Sequence, residues 1–173
     1  TLKKLGCNRE AQDPIVTGAT NVFAREFVRY VHLDDDAVEV LGKLHGEYKL
    51  GIVSNFAIPE AVWTLLGKFD LKKFFDVIII SGEINKRKPS PIVFERALKD
   101  LNVKANDAAF VGDTPRLDIK GARNAGIKSV LIQRERSATD RPKMLWPPPE
   151  DDSNLQPDVT IWSLKELPAI LRE

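Results

Sequence analysis

A single cysteine, Cys7, stands among the 173 residues, so no internal disulfide can form, and such sparing use fits a reducing compartment, with the cytoplasm as the expected location. An excess of charge of either sign is also missing. The 26 basic and 25 acidic residues leave a net charge of +1, which gives neither nucleic acid nor a membrane surface a reason to be the main partner. No apolar run approaches the roughly 20 residues that span a bilayer. The chain starts at Thr1 with neither a methionine nor an apolar signal segment, which leaves a processed or truncated N-terminus open. No internal repeat stands out. What remains is an ordinary globular composition, with 43% hydrophobic and 29% charged residues. The length suits one domain with a real core, or a core with a small appendage.

Apolar periodicity orders the chain into alternating helices and strands. Val22, Phe23, Phe27 and Tyr30 lie near helical spacing and predict an amphipathic helix over 21–31. A second helix is expected over 37–45 after the turn His32-Leu33-Asp34-Asp35-Asp36, with Gly46 closing it. Strands are expected at 49–53, 75–80, 107–111 and 128–132, and a short edge strand at 158–161. Helices are expected between them at 59–68, 91–101 and 118–125, with a closing helix at 164–171. Pro91 suits a first helical turn and Gly126 a C-cap. The polar run 133–157, with Pro142, Pro147, Pro148, Pro149 and Pro157, reads as a loop or insertion. This alternation predicts an α/β fold with a largely parallel sheet.

The most informative stretch is Ala109-Phe110-Val111-Gly112-Asp113-Thr114-Pro115-Arg116-Leu117-Asp118. It reads as an apolar strand ending in Gly-Asp, with a second carboxylate five residues later at the mouth of a helix. A plain strand-to-helix turn accounts for it with Gly112 for backbone freedom, Asp113 as turn residue and Asp118 as helix cap. The chemical alternative is a metal site. Mg²⁺ takes oxygen ligands and needs only one or two carboxylates beside waters and substrate phosphate. The crevice beyond the carboxyl ends of the strands is where open α/β sheets bind ligands.

Two further strand ends carry polar groups. Ser54 and Asn55 follow Gly51-Ile52-Val53, and Lys88 lies in the loop after the strongest strand. A serine hydroxyl can donate to a phosphoryl oxygen, and a lysine ammonium supplies a compact positive charge. With two aspartates to hold a metal, these are the parts that phosphoryl transfer requires. Singly, Ser54 and Asn55 are ordinary turn residues, and Lys88 belongs to the solvated run Lys86-Arg87-Lys88. Their joint occurrence at successive strand ends is what turn chemistry alone handles badly.

GIVSNF (51–56), KPSPIVFERAL (88–98) and VGDTPRLDIKGARNAG (111–126) resemble the second, third and fourth motifs of the haloacid dehalogenase-like hydrolase superfamily. The resemblance implies a Rossmann-like three-layer α/β/α fold, a mostly parallel sheet and, for most members, phosphoryl transfer through an aspartyl-phosphate intermediate with Mg²⁺. It implies that Ser54 hydrogen-bonds the phosphoryl group, that Asn55 lines the same pocket, and that Lys88 neutralises nucleophile and phosphate. Asp113 would bind the metal directly or through water, and Asp118 would support its shell. The Gly-Asp…Asp pattern resembles the metal-using phosphatase branch more than the metal-free dehalogenases. Residues 1–32 are similar to part of a small helical cap, with 33–173 as the core domain.

The family's first motif, an apolar strand followed by Asp-x-Asp, is not found. Asp34-Asp35-Asp36 has the spacing, but Arg29 and His32 spoil the preceding strand, and helix capping explains the cluster. Pro157-Asp158-Val159-Thr160 has strand and carboxylate in the wrong order for a permuted motif. In the family's usual sheet this first strand is central, between those corresponding to Gly51-Ile52-Val53 and Ala109-Phe110-Val111. Without it, backbone groups would face a gap. The two neighbours could pair directly, another copy could fill the slot by self-association, or a missing segment of a longer polypeptide could complete the sheet. The expected function is a phosphatase of a small phosphorylated metabolite whose nucleophile-bearing motif is absent. The alternative is a non-catalytic phosphate-binding or interaction module, and a metal-free dehalogenase-type hydrolase comes third.

Overall fold

The computed structural model describes residues 13–134 and 155–172. Cys7 and most of the expected 133–157 loop lie outside the described residues. Helix α1 (Pro14–Tyr30) begins seven residues before the expected start of 21. Its start is written locally: Asp13 accepts the Ile15 amide at 2.8 Å through Oδ1, and Pro14 sits in the first turn. Helix α2 (Ala37–Leu44), strand β1 (Gly51–Ser54), helix α3 (Pro59–Lys68) and strand β2 (Val77–Ile80) follow. A short helix α4 (Ser81–Ile84) occupies residues whose Ser-Gly pair reads in sequence only as a strand stop. Next come α5 (Pro91–Leu101), β3 (Ala109–Gly112), α6 (Lys120–Asn124), β4 (Lys128–Ile132), β5 (Val159–Ile161) and α7 (Leu167–Ile170).

The strands are parallel, as the crossover helices require. They form two ladders, β1–β2 and β3–β4–β5, and no ladder joins β1 to β3 among the described residues. Helices cover both faces, which makes the fold a three-layer α/β/α arrangement of Rossmann-like type. On one face Val40 and Leu44 of α2, one helical turn apart, meet Val130 and Ile132 of β4, Ile161 of β5 and Leu167 of α7. On the other, Val93 and Phe94 of α5 and Ala122 of α6 pack with Ile127, Val53 of β1 and Phe110 of β3. Strand alternation divides β3 between the two cores: Ala109 and Val111 face the first, Phe110 the second.

Burial follows the pairing. Four residues of β4, a strand paired on both edges, are buried, whereas no residue of β1 or β3 is. Among the described residues, β1 and β3, the strands expected to flank the family's first strand, each have an edge without a ladder partner. At the other margin β5 is tied to β4 by Asp158, whose Oδ2 accepts from the Ser129 amide and hydroxyl, each at 2.7 Å. The Ser129 amide, then its hydroxyl, hold the Asp158 carboxyl below its usual range.

Helix α1 is an outlying element with no buried residue. The Phe27 ring rests 4.6 Å from that of Phe56, and Lys68 donates to the carbonyl of Val28 at 3.0 Å at its C-terminal end. A cation there also complements the helix dipole.

The expected helix over 118–125 is divided. A π-helical turn, Pro115–Ile119, precedes α6. The closing helix at 164–171 likewise begins as a 3₁₀ turn, Leu164–Glu166, where Ser163 and Glu166 form a capping box.

Tight approach of α6 to α5 needs a glycine. A Cβ at Gly121 would stand 2.3 Å from Cε2 of Phe94, a ring only 1% exposed. Gly121→Ala should therefore destabilise the fold by about 1–3 kcal/mol through overpacking. Gly42→Ala, in α2 with nothing within 4 Å of the added carbon, should stabilise it by about 0.5–1 kcal/mol. Urea unfolding of the two variants checks the opposite signs.

Candidate active site

Parallel strands point their carboxyl ends one way, so residues distant in sequence share one rim of the sheet. Ser54 is the last residue of β1, Asn55 follows it, and Asp113 follows the last residue of β3. Lys88 comes from the loop before α5. Both polar atoms of the Asn55 side chain engage the Lys88 backbone: Oδ1 accepts its amide at 2.8 Å, and Nδ2 donates to its carbonyl at 3.0 Å. The Lys88 ammonium then stands 2.8 Å from Oδ1 of Asp118. Ser54, Asn55, Lys88, Asp113 and Asp118 are thereby brought to one end of the sheet.

Asp118 is 3% exposed, and its charge is answered from two sides. Oδ2 accepts the Thr114 amide at 3.0 Å. Oδ1 has no partner of hydrogen-bonding geometry, so its attraction to the nearby ammonium is ionic. The sequence reading of Asp118 as a helix cap needs correction. Asp118 lies inside the π-helical turn, and its side chain folds back toward the end of β3.

The explanation of Gly112 also changes. Among the described glycines positive φ occurs at Gly46 and Gly126, not at Gly112. What position 112 supplies is room: a Cβ there would lie 2.3 Å from Cβ and Cγ of Asp118. Asp113 is exposed and accepts a hydrogen bond from the Thr114 hydroxyl at 3.0 Å. Asp113 and Asp118 together offer the carboxylate number that Mg²⁺ needs beside water and phosphate. No group of three or more His, Cys, Asp or Glu side chains able to hold a metal occurs among the described residues.

The Asp34–Asp36 cluster is engaged by residues that follow the carboxyl ends of β4 and β5. Asp34 pairs with Arg134, and its Oδ1 accepts the Asp36 amide at 2.9 Å. Asp36 takes the Ser163 hydroxyl at 3.0 Å and the Lys165 ammonium at 2.8 Å. Lys165, then Ser163, hold its carboxyl below the usual range. The cluster is structural, though not quite by helix capping. Asp36 occupies the N-cap position of α2 without a side-chain cap bond, because its oxygens reach the segment after β5.

Two contributors escape a motif-based reading. The Phe110 ring lies 5.3 Å beneath the Lys88 ammonium, and the Thr114 amide anchors Asp118. Phe110 could have been found from strand alternation, which separates its face from that of Ala109 and Val111. A backbone amide carries no sequence signal. A depression of about 540 Å³ lined by Arg123, Lys128 and Asp158 lies at the opposite, N-terminal end of β4 and β5, away from these residues. No helix among the described residues is long and apolar enough to cross a membrane.

Known proteins resemble this chain in sequence and in fold. The chain is 31% identical over 174 residues to glyceraldehyde 3-phosphate phosphatase of Methanopyrus kandleri, covering 99% of this chain and 70% of that one. It is 32% identical over 118 residues to phosphoserine phosphatase of Thermus thermophilus, covering 68% of this chain and 42% of the relative. Against glyceraldehyde 3-phosphate phosphatase of Pyrococcus abyssi it spans 36% of the relative's length. Among solved structures, a haloacid dehalogenase-type phosphatase from Thermococcus onnurineus superposes with a TM-score of 0.70 at 26% identity, covering 98% of this chain and 68% of that one. A 2-haloacid dehalogenase from Pseudomonas syringae shares the fold, with a TM-score of 0.73 at 22% identity and coverage of 96% and 65%. Residues 2–132 match the haloacid dehalogenase-like hydrolase family as a whole. The chain belongs to that family.

Proposed function

We propose that the chain forms the core of an Mg²⁺-dependent phosphatase acting on a small phosphorylated metabolite. The observation that carries the reading is the Lys88 ammonium, held at the strand ends between Asn55 and Asp118 with Asp113 on the same rim. A fixed cation with donors and carboxylates around it suits a phosphoryl group, because such transfer is driven mainly by positioning and electrostatic stabilisation. The relatives named for phosphate esters of three-carbon compounds support a small substrate.

In this reading the Ser54 hydroxyl donates to a phosphoryl oxygen, and Lys88 offsets the charge shared by phosphate and attacking group. Asp113 and Asp118 would hold the metal, Asp113 as ligand and Asp118 in support. Bound Mg²⁺ would neutralise charge on the phosphoryl oxygens. Helix α1, seated on Phe56 beside Asn55, serves as a partial cap over the rim. The family's nucleophile is a carboxylate at the end of a strand between β1 and β3, and no strand lies there among the described residues. That observation favours one second reading, a phosphate-binding module without turnover.

The 173-residue chain should release no phosphate from a generic ester above background, even with Mg²⁺ saturating. Ser54 has no histidine in its motif to activate it, and the Lys88 ammonium, paired with Asp118, is matched to charge neutralisation and not to attack. Joining an upstream strand that ends in Asp-x-Asp should restore release, and Lys88→Ala in that extended form should lower kcat by about 10²-fold or more, the scale for losing an oriented electrostatic group. Phosphate assays on both forms decide the matter. Robust release from the short chain, abolished by Asp34→Asn or Asp36→Asn, would overturn the assignment of that cluster. An inactive extended form that still binds inorganic phosphate would favour the module.

Metal affinity gives a separate measurement. In a calorimetric Mg²⁺ titration, Asp113→Asn should weaken binding markedly, and Asp34→Asn, whose partner is Arg134, should leave it nearly unchanged. Equal effects would move the proposed metal position to the Asp34–Asp36 cluster.

A further inference from the structure

We infer that Asn55 and Phe110 are positioning residues for Lys88, with the Asn55 carboxamide acting as a clamp on the Lys88 backbone and not chiefly as a phosphate ligand. The value of an aimed Lys88 rests on the phosphatase reading; the clamp itself does not. An asparagine amide has one acceptor and one donating group, side by side in one plane. At Asn55 both are directed at one residue, Oδ1 to the Lys88 amide at 2.8 Å and Nδ2 to the Lys88 carbonyl at 3.0 Å. Two bonds to the same residue, one to each of the peptide groups that flank its Cα, fix orientation as well as distance, which a single bond does not. Both groups are partly buried, where such bonds meet less competition from water.

The clamp sets where the Lys88 side chain begins, and Phe110 and Asp118 set where it ends. The Lys88 side chain is 13% exposed, with its ammonium 5.3 Å from the Phe110 ring centroid and 2.8 Å from Asp118. An ammonium over an aromatic face is attracted by the ring's quadrupole, more strongly when desolvated. The ring is itself immobilised. Phe94, 1% exposed, meets it edge-on with centroids 4.9 Å apart. Asn55 follows β1 and Phe110 belongs to β3, strands that no ladder joins among the described residues. The lysine is therefore aimed from both ladders at once. Neither residue needs to touch a substrate to matter for one.

The test is trace acetylation of the full chain with acetic anhydride, reading Lys88 by mass spectrometry against exposed Lys128. Asn55→Ala should speed Lys88 labelling about tenfold, the change that loss of roughly one net hydrogen bond permits. Asn55→Asp, which keeps the acceptor for the Lys88 amide and loses the donor, should fall between wild type and Asn55→Ala. Phe110→Leu should raise labelling by a smaller factor. Hydrogen exchange at Val130, in the fully paired β4, should stay unchanged in all three variants. Unaltered Lys88 labelling in Asn55→Ala overturns the clamp, and so does a rise matched by faster exchange at Val130, which would mean general loosening. Inorganic phosphate added to wild type should protect Lys88 from acetylation. Failure of that protection counts against the phosphatase reading and leaves the clamp intact.

Discussion

The ion pair between Lys88 and Asp118 joins two halves of the molecule that no β-ladder connects among the described residues. Lys88 is held by Asn55, at the end of one ladder, and Asp118 folds back on Gly112, at the end of the other. Both side chains are largely removed from water, so neither charge can lose its partner cheaply. Breaking a buried pair by deleting one member typically costs about 3–5 kcal/mol, because the remaining charge stays buried and unanswered. The surrounding features read as provisions for this contact: a glycine that leaves space for the carboxylate, an amide that steadies it, and a ring that underlies the ammonium.

The same contact accounts for the chemical character of the rim. A cation and a carboxylate held at the strand ends make poor packing, and the apolar cores lie on the two faces of the sheet instead. Phe110 serves both requirements. It completes the core beneath α5 and presents its face to the ammonium above. Stability and charge placement are thus coupled through one ring.

Carboxylates elsewhere on the chain show how little spacing says without tertiary context. Asp34 and Asp36 have the separation of a catalytic pair, yet they pair with Arg134 and Lys165. Asp158 sits beside a strand and fastens it through Ser129. Asp113 and Asp118 are five apart in sequence, one exposed and one buried. What separates the structural carboxylates from the candidate chemical ones is the partner each meets, and for Asp34, Asp36 and Asp158 the charged or hydroxyl partner is remote in sequence.

Local patterns in the sequence determined a good deal. The bounds of α3, α5 and β4 follow from proline at a first turn, helical spacing of apolar residues and β-branched runs. The three motifs located Ser54, Lys88 and Asp113 at strand ends and, with the alternation of elements, gave the α/β family. Less was legible where a signal is weak or nonlocal. The early start of α1 hung on a short Asp-Pro cap, and the π-helical turn that carries Asp118 has no sequence signature. Only the tertiary structure decided that Asn55 turns to a backbone 33 positions away, that Phe110 underlies a lysine, and that Gly112 is there for space. Those are matters of which surfaces meet after the helices close on the sheet. Periodicity specifies a face for each residue, and packing alone specifies what that face will touch.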